Sequence, residues 1–366
     1  MNLIPGGGES GRGEFIPYDC SREAAQKGIK MKYERILLEH GNGGLLTSEL
    51  IAEMFLPAFS NSYLDRLEDS AVFSSGNSKF CFTTDSYVVS PIFFPGGDIG
   101  SLAVHGTVND LAVCGGKPLF ISAGYILEEG FPVAELGKII LSMAEAARRA
   151  GVNIVTGDTK VVPRGAADGV YINTSGIGIV EYGGLLSVKS IQPGDVIILN
   201  GTIGDHGAAI IQARENLVFA ADIFSDSAPL NGLVAEILQT SPHIHCMRDA
   251  TRGGLGAILT EIARGSGVLI SIAERDIPVR ENVRGLCEII GLDPLFLANE
   301  GKLVVFCPVT EANQVLATMR KHELGSGAAV IGRVEETAPG RVVLKTAVGG
   351  ERVIDLPTGE LVPRIC

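Results

Sequence analysis

The sequence predicts an α+β fold in two domains. Its 366 residues exceed the usual size of one domain, and 46% hydrophobic against 20% charged residues provide for a large core. Predicted strands and helices are mixed along the chain without strict alternation, which favours α+β layers over a doubly wound sheet. The second half repeats the helix and strand order of the first, although the two halves do not match residue by residue.

Composition along the chain divides it into four segments. Residues 1–31 are rich in glycine and poor in apolar residues, so they predict a disordered leader. We expect an N-terminal domain over 32–183 and a C-terminal α+β domain over 184–348. Residues 349–366 predict a mobile tail that is neither helix nor strand, because prolines flank a glycine there.

Apolar spacing and boundary residues define the elements of the first half. Asp98 suits a helix N-cap, Pro132 suits a first helical turn, and Gly151 suits a helix end. The predicted elements are helices over 47–59, 98–114 and 132–150 and strands over 80–85, 119–127, 153–162 and 170–180.

The same signals give the elements of the second half. We predict helices near 207–214, 230–239, 255–264, 281–290 and 311–321, and strands over 196–199, 268–272, 302–307, 328–334 and 342–344.

Charge and cysteine content exclude several classes of protein. The net charge of −12, from 30 basic and 42 acidic residues, argues against electrostatic binding of nucleic acid. Seven scattered cysteines without a CxxC pair argue against a disulfide framework or zinc finger and fit a reducing cytoplasm. No apolar run reaches the roughly 20 residues that a membrane-spanning helix needs.

The last residue, Cys366, is an unusual place for a structural thiol. From Gly349 the tail holds about 17 residues, which reach roughly 55–60 Å when extended. A thiol on such an arm could enter a distant pocket, and the alternative is a frayed end with an incidental cysteine.

Five aspartates share a local setting, next to an apolar strand or on a glycine-flanked helix. They are Asp69, Asp85, Asp110, Asp158 and Asp249. Carboxylates that converge in a fold bind hard cations such as Mg²⁺, which usually keeps phosphate oxygens as further ligands. Each aspartate alone could equally be a turn or capping residue.

Glycine-rich turns support a phosphate site. Gly41, Asn42, Gly43 and Gly44 form a turn whose backbone could approach phosphates closely. Another run, RGGLG from Arg252, opens a predicted helix whose N-terminus favours an anion. Neither run is a Walker A or dinucleotide-binding motif, so a nucleotide site here would be of another kind.

Seven motifs carry a resemblance to a known family. They are EDSAV, FTTD, HGTVNDLAVCGGKPLF, TGDTKVV, MRDATRGGLG, NEGKL and the terminal PRIC. Together they resemble the hydrogenase maturation factor HypE, a family of carbamoyl dehydratases in the superfamily of aminoimidazole ribonucleotide synthetase and selenophosphate synthetase. The resemblance covers about residues 33–366, and the terminal PRIC narrows it to HypE.

The resemblance implies two α+β domains per chain, with the N-terminal domains of two chains pairing into a β-barrel. ATP and Mg²⁺ would bind between the domains. The implied metal and triphosphate ligands are Asp69, Asp85, Asp110 and Asp249; the implied nucleotide-binding residues also include Gly41, Asn42, Gly43, Gly44, Asn109 and Asp158. Lys160 and Glu300 would be the catalytic pair, and Cys366 would carry the substrate group.

The implied activity is ATP-dependent dehydration of a carbamoyl group on Cys366 to a thiocyanate through an iminophosphate. The product would provide a cyanide ligand for the iron of NiFe hydrogenase. A carbamoyltransferase would load Cys366, and a scaffold complex would accept the cyanide. We expect a cytoplasmic homodimer without nucleic-acid or membrane partners, whose tail is inserted with ATP and loose without it.

Alternatives remain at this point. The chain could be a selenophosphate or aminoimidazole ribonucleotide synthetase, although the only cysteine near the start, Cys20, lacks a matching motif. It could also be a non-catalytic scaffold with PRIC as a docking peptide. Lys160 could be an exposed lysine in a surface ion pair, and Glu300 could be a solvated loop carboxylate.

Overall fold

A computed structural model describes residues 33–215, 217, 222–336, 340–359, 362 and 364–366. The predicted leader therefore lies outside the described residues. Those residues form two domains, each with a mixed β-sheet and helices packed on it, which confirms the predicted α+β class.

The N-terminal domain is built on a five-stranded sheet. Its strands are β1 Ala71–Ser75, β2 Ser78–Tyr87, β5 Gly116–Glu128, β6 Asn153–Val162 and β7 Val170–Val180, and a small hairpin adds β3 Phe93–Phe94 and β4 Gly97–Asp98. Its helices are α1 Leu45–Leu50, α2 Leu56–Phe59, α3 Ile99–Val113 and α4 Val133–Ala150. The strand order is β1-β2-β7-β5-β6, antiparallel except for the parallel pair β5–β6.

The C-terminal domain is built on a seven-stranded sheet. Its strands are β8 Val196–Leu199, β9 Cys246–Asp249, β10 Leu269–Ala273, β11 Leu303–Cys307, β12 Ala329–Glu335, β13 Arg341–Lys345 and β14 Glu351–Ile354. Its helices are α5 Asp205–Arg214, α6 Asn231–Thr240, α7 Gly254–Ser266, α8 Glu281–Ile290 and α9 Val309–Lys321. The strand order is β14-β13-β10-β12-β8-β11-β9. In the part of the chain that the structure covers, no helix combines the length and apolarity needed to cross a membrane.

Helix α3 is the centre of the N-terminal core. It begins at Asp98, whose carboxylate accepts hydrogen bonds from the backbone amides of Gly100 and Ser101 at 2.7 and 3.2 Å. The sheet packs against one side of α3, α4 packs against another, and α6 and β9 of the C-terminal domain also contact it. The last turn of α3, which contains Asp110, therefore lies where the two domains meet.

Strand β11 is the centre of the C-terminal core. All five of its residues are buried, as expected for a continuous apolar run covered on both faces of a sheet. Helix α7 packs with one face and helices α6 and α9 pack with the other. Strand β9 forms the sheet edge next to β11, so its last residue, Asp249, faces the N-terminal domain.

Most predicted elements are confirmed. The strands over 153–162, 170–180 and 196–199 and the helix over 281–290 begin and end where predicted. The predicted helix over 47–59 begins two residues earlier and contains a π-helical turn, Ile51–Phe55, before α2. Pro57 in the first turn of α2 has no N–H to donate, which interrupts the regular hydrogen bonding there.

Five strands, β1, β3, β4, β9 and β14, have no counterpart among the predicted elements. All are short; β3 and β4 pair with each other, and β1, β9 and β14 each pair with a longer neighbour. Strand β14 also corrects the predicted tail, because Glu351–Ile354 pair with β13 instead of remaining without regular structure. The irregular part of the tail therefore begins at residue 355.

One face of the N-terminal sheet carries exposed apolar side chains. Phe82, Phe120 and Ile126 are 46%, 45% and 43% exposed on the face opposite α3. Strand β6, at the sheet edge, is exposed along almost its whole length. A single chain thus leaves an apolar surface and a strand edge uncovered.

Candidate active site

A cleft between the two domains contains most of the predicted site residues. Its cavity measures about 210 Å³. The segment before β1, the end of β2 and α3 form one wall, and the end of β9, the start of α7 and the loop before β11 form the other. The predicted residues that line it are Gly43, Asp69, Asp85, Asp110, Asp249, Glu300 and Cys366.

Three carboxylates meet at the bottom of this cleft. Asp69, Asp110 and Asp249 each offer an oxygen, and these oxygens all lie within 4.8 Å of one another. The Thr83 hydroxyl donates a hydrogen bond to Asp110 Oδ2 at 2.8 Å, and Arg248 Nε forms an ion pair with Asp69 Oδ2 at 2.7 Å. Asp249 Oδ2 is buried without a hydrogen-bond donor among the described residues.

Burial makes the charged form of this cluster costly. It raises the pKa of Asp69 to about 6, although Arg248 opposes the shift. Burial, reinforced by the neighbouring carboxylates, raises the pKa values of Asp110 and Asp249 well above the ordinary range. Oxygen ligands that repel one another and lack donors fit a hard divalent cation, so the donor set suits Mg²⁺.

Asp85 lines the same cleft beside this cluster, at the end of β2. Its carboxylate accepts a hydrogen bond from the Tyr87 hydroxyl at 3.1 Å. Burial raises the pKa of Asp85, and the Arg252 guanidinium lowers it. Gly106 makes room for this pair, because a Cβ there would lie 2.1 Å from the Tyr87 hydroxyl oxygen.

Glu300 is a buried residue, only 3% exposed, so the structure does not support a solvated loop carboxylate. The Asp226 carboxylate accepts hydrogen bonds from the amides of Glu300 and Gly301 at 3.1 and 3.2 Å, and Lys302 Nζ pairs with Asp226 at 2.9 Å. Burial first, then Asp226 and other carboxylates, raise the pKa of Glu300 well above its ordinary value. Its Oε1 has no hydrogen-bond partner within the described ranges.

The end of the tail is inserted in the cleft. The main-chain oxygen of Cys366 accepts a hydrogen bond from the Val88 amide at 3.0 Å, and the Ile365 side chain is buried. Burial raises the pKa of the Cys366 thiol to about 12, while Arg252 lowers it. The thiol therefore sits as a neutral group beside Arg252, Glu300 and Asp85, which is not the arrangement of a frayed end.

Arg364 fixes the approach of the tail along the N-terminal domain. Its carbonyl accepts from the Ser90 amide at 3.1 Å, and its Nε donates to the Val88 carbonyl at 2.9 Å. Its guanidinium forms an ion pair with Asp168 and lies over the ring of Tyr171. These contacts align the last three residues antiparallel to the segment that follows β2.

The glycine turn contacts both the cleft and the tail. Gly43 has φ +72°, and a Cβ there would lie 3.0 Å from Arg252 Cβ. A Cβ on Gly44 would lie 2.7 Å from the Pro357 carbonyl oxygen, which accepts a hydrogen bond from Leu45 N at 3.1 Å. Close backbone approach at both positions requires glycine.

The two other members of this turn are Gly41 and Asn42. The Gly41 carbonyl accepts from Arg252 Nη1 at 3.0 Å. Asn42 Nδ2 is buried and lacks an acceptor among the described residues. Asn42 lines one small cavity together with Val362 and Ile365 of the tail.

Besides Gly41, Asn42 and Gly44 of the turn, three predicted residues do not line the cleft of a single chain. Lys160 and Asp158 form an exposed ion pair on β6 at 2.8 Å, as the surface alternative predicts, and β6 lies three strands from β2. Asn109 is buried at the domain interface, where its Nδ2 donates to Ala228 O at 3.1 Å and its Oδ1 accepts from Leu230 N at 2.7 Å. Asn109 Nδ2 also donates to Glu300 O at 3.4 Å, so Asn109 joins the loop before α6 to the Glu300 segment.

Sequence reasoning missed the residues that hold the acidic groups. Arg248, Thr83 and Asp226 hold Asp69, Asp110 and Glu300 respectively. Arg248 directly precedes Asp249, and Thr83 lies two residues from Asp85, so their proximity to predicted residues was a usable signal. Asp226 had no comparable signal, because it lies far along the chain from Glu300.

The fold and the acidic cleft define a class of protein. Residues 67–180 match the family model of the AIR synthase related protein N-terminal domain, and residues 192–345 match that of its C-terminal domain. The chain is therefore a two-domain protein of the AIR synthase related class.

Relatives and solved structures define the family within this class. Carbamoyl dehydratase HypE of Azotobacter vinelandii is 54% identical over 92% of this chain and 99% of its own length. The crystal structure of a HypE–HypF complex matches with 50% identity and a TM-score of 0.80, covering 84% of this chain and 99% of that one. A HypE crystal structure in complex with ATP matches with 47% identity and a TM-score of 0.77, covering 91% and 100%. The chain belongs to the HypE carbamoyl dehydratase family.

Proposed function

We propose that the chain uses ATP to dehydrate a carbamoyl group carried on its own Cys366, giving a thiocyanate. The thiocyanate provides the cyanide ligand for assembly of a NiFe hydrogenase iron centre. The observation that carries this proposal is the position of the Cys366 sulfur in one cavity with Glu300 and the acidic cluster. A HypE relative has been crystallised in complex with ATP, which supports the nucleotide part of the proposal.

The acidic cluster is proposed to hold Mg²⁺ with the triphosphate. Asp69, Asp110 and Asp249 would supply the ligands, with Asp85 beside them, because the oxygens of the three converge and Asp249 Oδ2 has no hydrogen-bond donor among the described residues. Bound Mg²⁺ would neutralise the charge of the transferring phosphoryl group. The glycine turn would close over the phosphates, since Gly43 lines the same cavity.

The first chemical step activates a poor leaving group. Cys366 carries S–C(=O)–NH₂, and its amide oxygen attacks the γ-phosphorus of ATP. The phosphoryl group moves to that oxygen, ADP leaves, and one proton leaves the nitrogen, which gives an iminophosphate. Arg252, whose guanidinium lies close enough to Cys366 to shift its pKa, would hold the reacting group in place.

The second step forms the triple bond. The remaining proton leaves the nitrogen, the C–O bond breaks, and phosphate departs with the former carbamoyl oxygen. Glu300 is proposed to accept protons from the nitrogen, because it lines the cavity with Cys366 and its raised pKa makes its ionised form a strong acceptor.

Lys160 is proposed to act from a second copy of the chain. In one chain it lies on the exposed strand β6, apart from the cleft, so a cis role has no geometric support. A homodimer that pairs the exposed sheet faces into a β-barrel would cover Phe82, Phe120 and Ile126. Such pairing could carry Lys160 and Asp158 to the partner's cleft, where the Lys160 cation would stabilise the phosphorylated oxygen.

The tail is proposed to alternate between the cleft and two partners. A carbamoyltransferase loads Cys366, and a HypE relative has been crystallised with HypF. A scaffold complex then accepts the cyanide. We propose that ATP favours the inserted tail, because the iminophosphate must be kept from water. A carrier thiol must stay reduced, which fits a cytoplasmic location and the six described cysteines, all of them free.

Mass spectrometry of the C-terminal peptide tests the proposed function. The transferase first loads the protein from carbamoyl phosphate. Nucleotide is then removed, and the loaded protein is incubated with or without ATP. We expect the carbamoyl adduct on Cys366 to lose one water only when ATP is present. An adduct that persists while ATP is consumed would refute the proposal.

Two further measurements, turnover of the Cys366→Ala variant and nucleotide binding, separate the alternatives. Turnover that survives Cys366→Ala with a soluble acceptor would indicate a synthetase of the same superfamily. Absence of nucleotide binding would indicate a non-catalytic scaffold.

A further inference from the structure

A buried histidine contacts the tail next to its reactive residue. His206, in the first turn of α5, is fully buried. Its Nε2 lies 2.7 Å from the carbonyl oxygen of Ile365, and its Nδ1 lies 2.8 Å from the Ser225 hydroxyl. Phe94 packs edge-on against the imidazole ring and fixes its plane.

The contact to Ile365 determines the tautomer of His206. A carbonyl oxygen only accepts hydrogen bonds, so Nε2 must carry a proton and donate it. Burial lowers the pKa of His206, which favours the neutral ring, and Nδ1 then accepts from the Ser225 hydroxyl. The Ser225 oxygen also accepts from the Ser227 amide at 3.1 Å, so the ring is held from behind.

The segment behind His206 also holds the proposed base. Asp226, between Ser225 and Ser227, accepts from the amides of Glu300 and Gly301. One short loop therefore supports the carbonyl next to Cys366 through His206 and the backbone of Glu300 through Asp226. The N-terminal domain holds the tail from the other side through Val88 and Ser90.

We propose that His206 is a positioning residue for the proposed reaction: its Nε2–H binds the Ile365 carbonyl and places the Cys366 sulfur against Glu300. This inference rests on the proposed function for its catalytic meaning, but the docking of the tail can be measured without turnover. The Ser225 hydroxyl supports the donor tautomer, so its removal weakens the same contact.

Alkylation of Cys366 by iodoacetamide, read by mass spectrometry of the C-terminal peptide, measures tail docking. The docked thiol reacts slowly, because it is half-buried in the cleft and its pKa is raised to about 12. His206→Phe keeps an aromatic ring but cannot donate, so we expect alkylation about 5–10-fold faster than in the wild type. His206→Gln keeps a donor near the Nε2 position, and its alkylation rate should return close to that of the wild type.

Two further variants keep the test decisive. Ser225→Ala leaves the His206 ring in place and should accelerate alkylation about 2–5-fold, so it replaces His206→Phe should that variant fail to fold. His243→Phe, at an exposed position between α6 and β9, is the matched control and should alkylate like the wild type.

A kinetic readout separates positioning from general damage. In single-turnover dehydration of the carbamoylated protein, His206→Phe should lower the maximal rate about 5–10-fold with the KM for ATP unchanged, and His206→Gln should restore the rate. Wild-type alkylation in His206→Phe, or equal acceleration in His206→Gln, would overturn the inference. A Cys366 adduct that never loses water would instead refute the proposed function and leave the alkylation result standing.

Discussion

At the scale of single residues, the cleft contains acidic groups whose ionised forms are disfavoured by burial. The pKa values of Asp69, Asp249, Glu300 and Cys366 are all raised, chiefly by desolvation. Their ionised forms need a cation, and Arg248 and Arg252 supply only part of the positive charge. We infer that the cleft reaches its working charge state only when Mg²⁺ and ATP bind.

Replacement of Glu300 tests its role as the base. Glu300→Gln preserves the volume and the backbone contacts to Asp226, so ATP binding should be retained. Dehydration of carbamoylated Cys366 should fall by about 10²–10⁴-fold, because the amide cannot accept a proton. Single-turnover kinetics measure the rate, and a rate like that of the wild type would remove Glu300 from this role.

The pH dependence of the wild type follows from the same residue. Glu300 must be ionised to act as a base, and its pKa is raised, so the rate should fall as pH drops through a value above its ordinary 4.5. Dehydration rates measured from about pH 4.5 to 8 check this, and a flat profile over that whole range would contradict it.

Competition between protons and Mg²⁺ tests the acidic cluster. The pKa of Asp69 is about 6 in the folded protein, against an ordinary 3.8. Protonated Asp69 therefore contributes to the free energy of unfolding below about pH 4, and this contribution is lost as the pH rises through about 6. Mg²⁺ binds the ionised form, so it should raise the melting temperature more at about pH 7.5 than at about pH 5.5.

Thermal unfolding with matched variants makes this prediction specific. Asp249→Asn should lose the Mg²⁺-dependent rise, whereas Asp276→Asn, an exposed change outside the cleft, should keep it. An equal Mg²⁺ effect at both pH values, or in both variants, would place the ion elsewhere.

At the scale of elements, local patterns predict most of the fold and miss the parts made by pairing. Strand β7 and helix α8 have clear periodicity, so their limits can be predicted from the sequence. Strands β9 and β14 are short and charged, and they exist only because β11 and β13 offer hydrogen-bonding edges. Asp249 is thereby placed by a strand that its own local sequence does not predict.

The glycine turn contacts the tail at Pro357, and the variant Gly44→Ala tests whether this contact helps to dock the tail. The added Cβ would lie 2.7 Å from the Pro357 carbonyl oxygen, so the turn and the tail must separate. We expect Cys366 to alkylate about tenfold faster, for an overpacking cost of ~1.5 kcal/mol. Gly285→Ala, where an added Cβ meets open space, is the control; equal rates in both variants would argue against the coupling.

At the scale of the whole molecule, the cleft is made by residues that are distant in sequence. The sequence motifs predict some of these residues but not all of them. Asp69, Asp110, Asp249, Glu300 and Cys366 do converge in one cleft, as predicted. The motifs do not reveal Arg248 and Thr83, which hold Asp69 and Asp110, or the position of Lys160. These depend on the order of the strands and on how the chain packs. The exposed sheet face shows that a single chain leaves surface to be covered.

Mixed dimers decide whether Lys160 acts from the second chain. In the proposed homodimer, Lys160→Ala and Cys366→Ala proteins should both be inactive in dehydration. A dimer with one chain of each kind joins an intact Cys366 to the partner's Lys160, so it should be active at one site. Activity is measured on differently tagged, co-expressed chains, and an inactive mixed dimer would show that Lys160 does not act in trans.

The fate of the carbamoyl oxygen tests the central claim most directly. The protein is loaded on Cys366 with an ¹⁸O-labelled carbamoyl group and given ATP for a single turnover in unlabelled water. The account predicts that the label leaves in inorganic phosphate while Cys366 becomes a thiocyanate, because the amide oxygen itself receives the phosphoryl group. Unlabelled phosphate, with the label in water or still on Cys366, would contradict it.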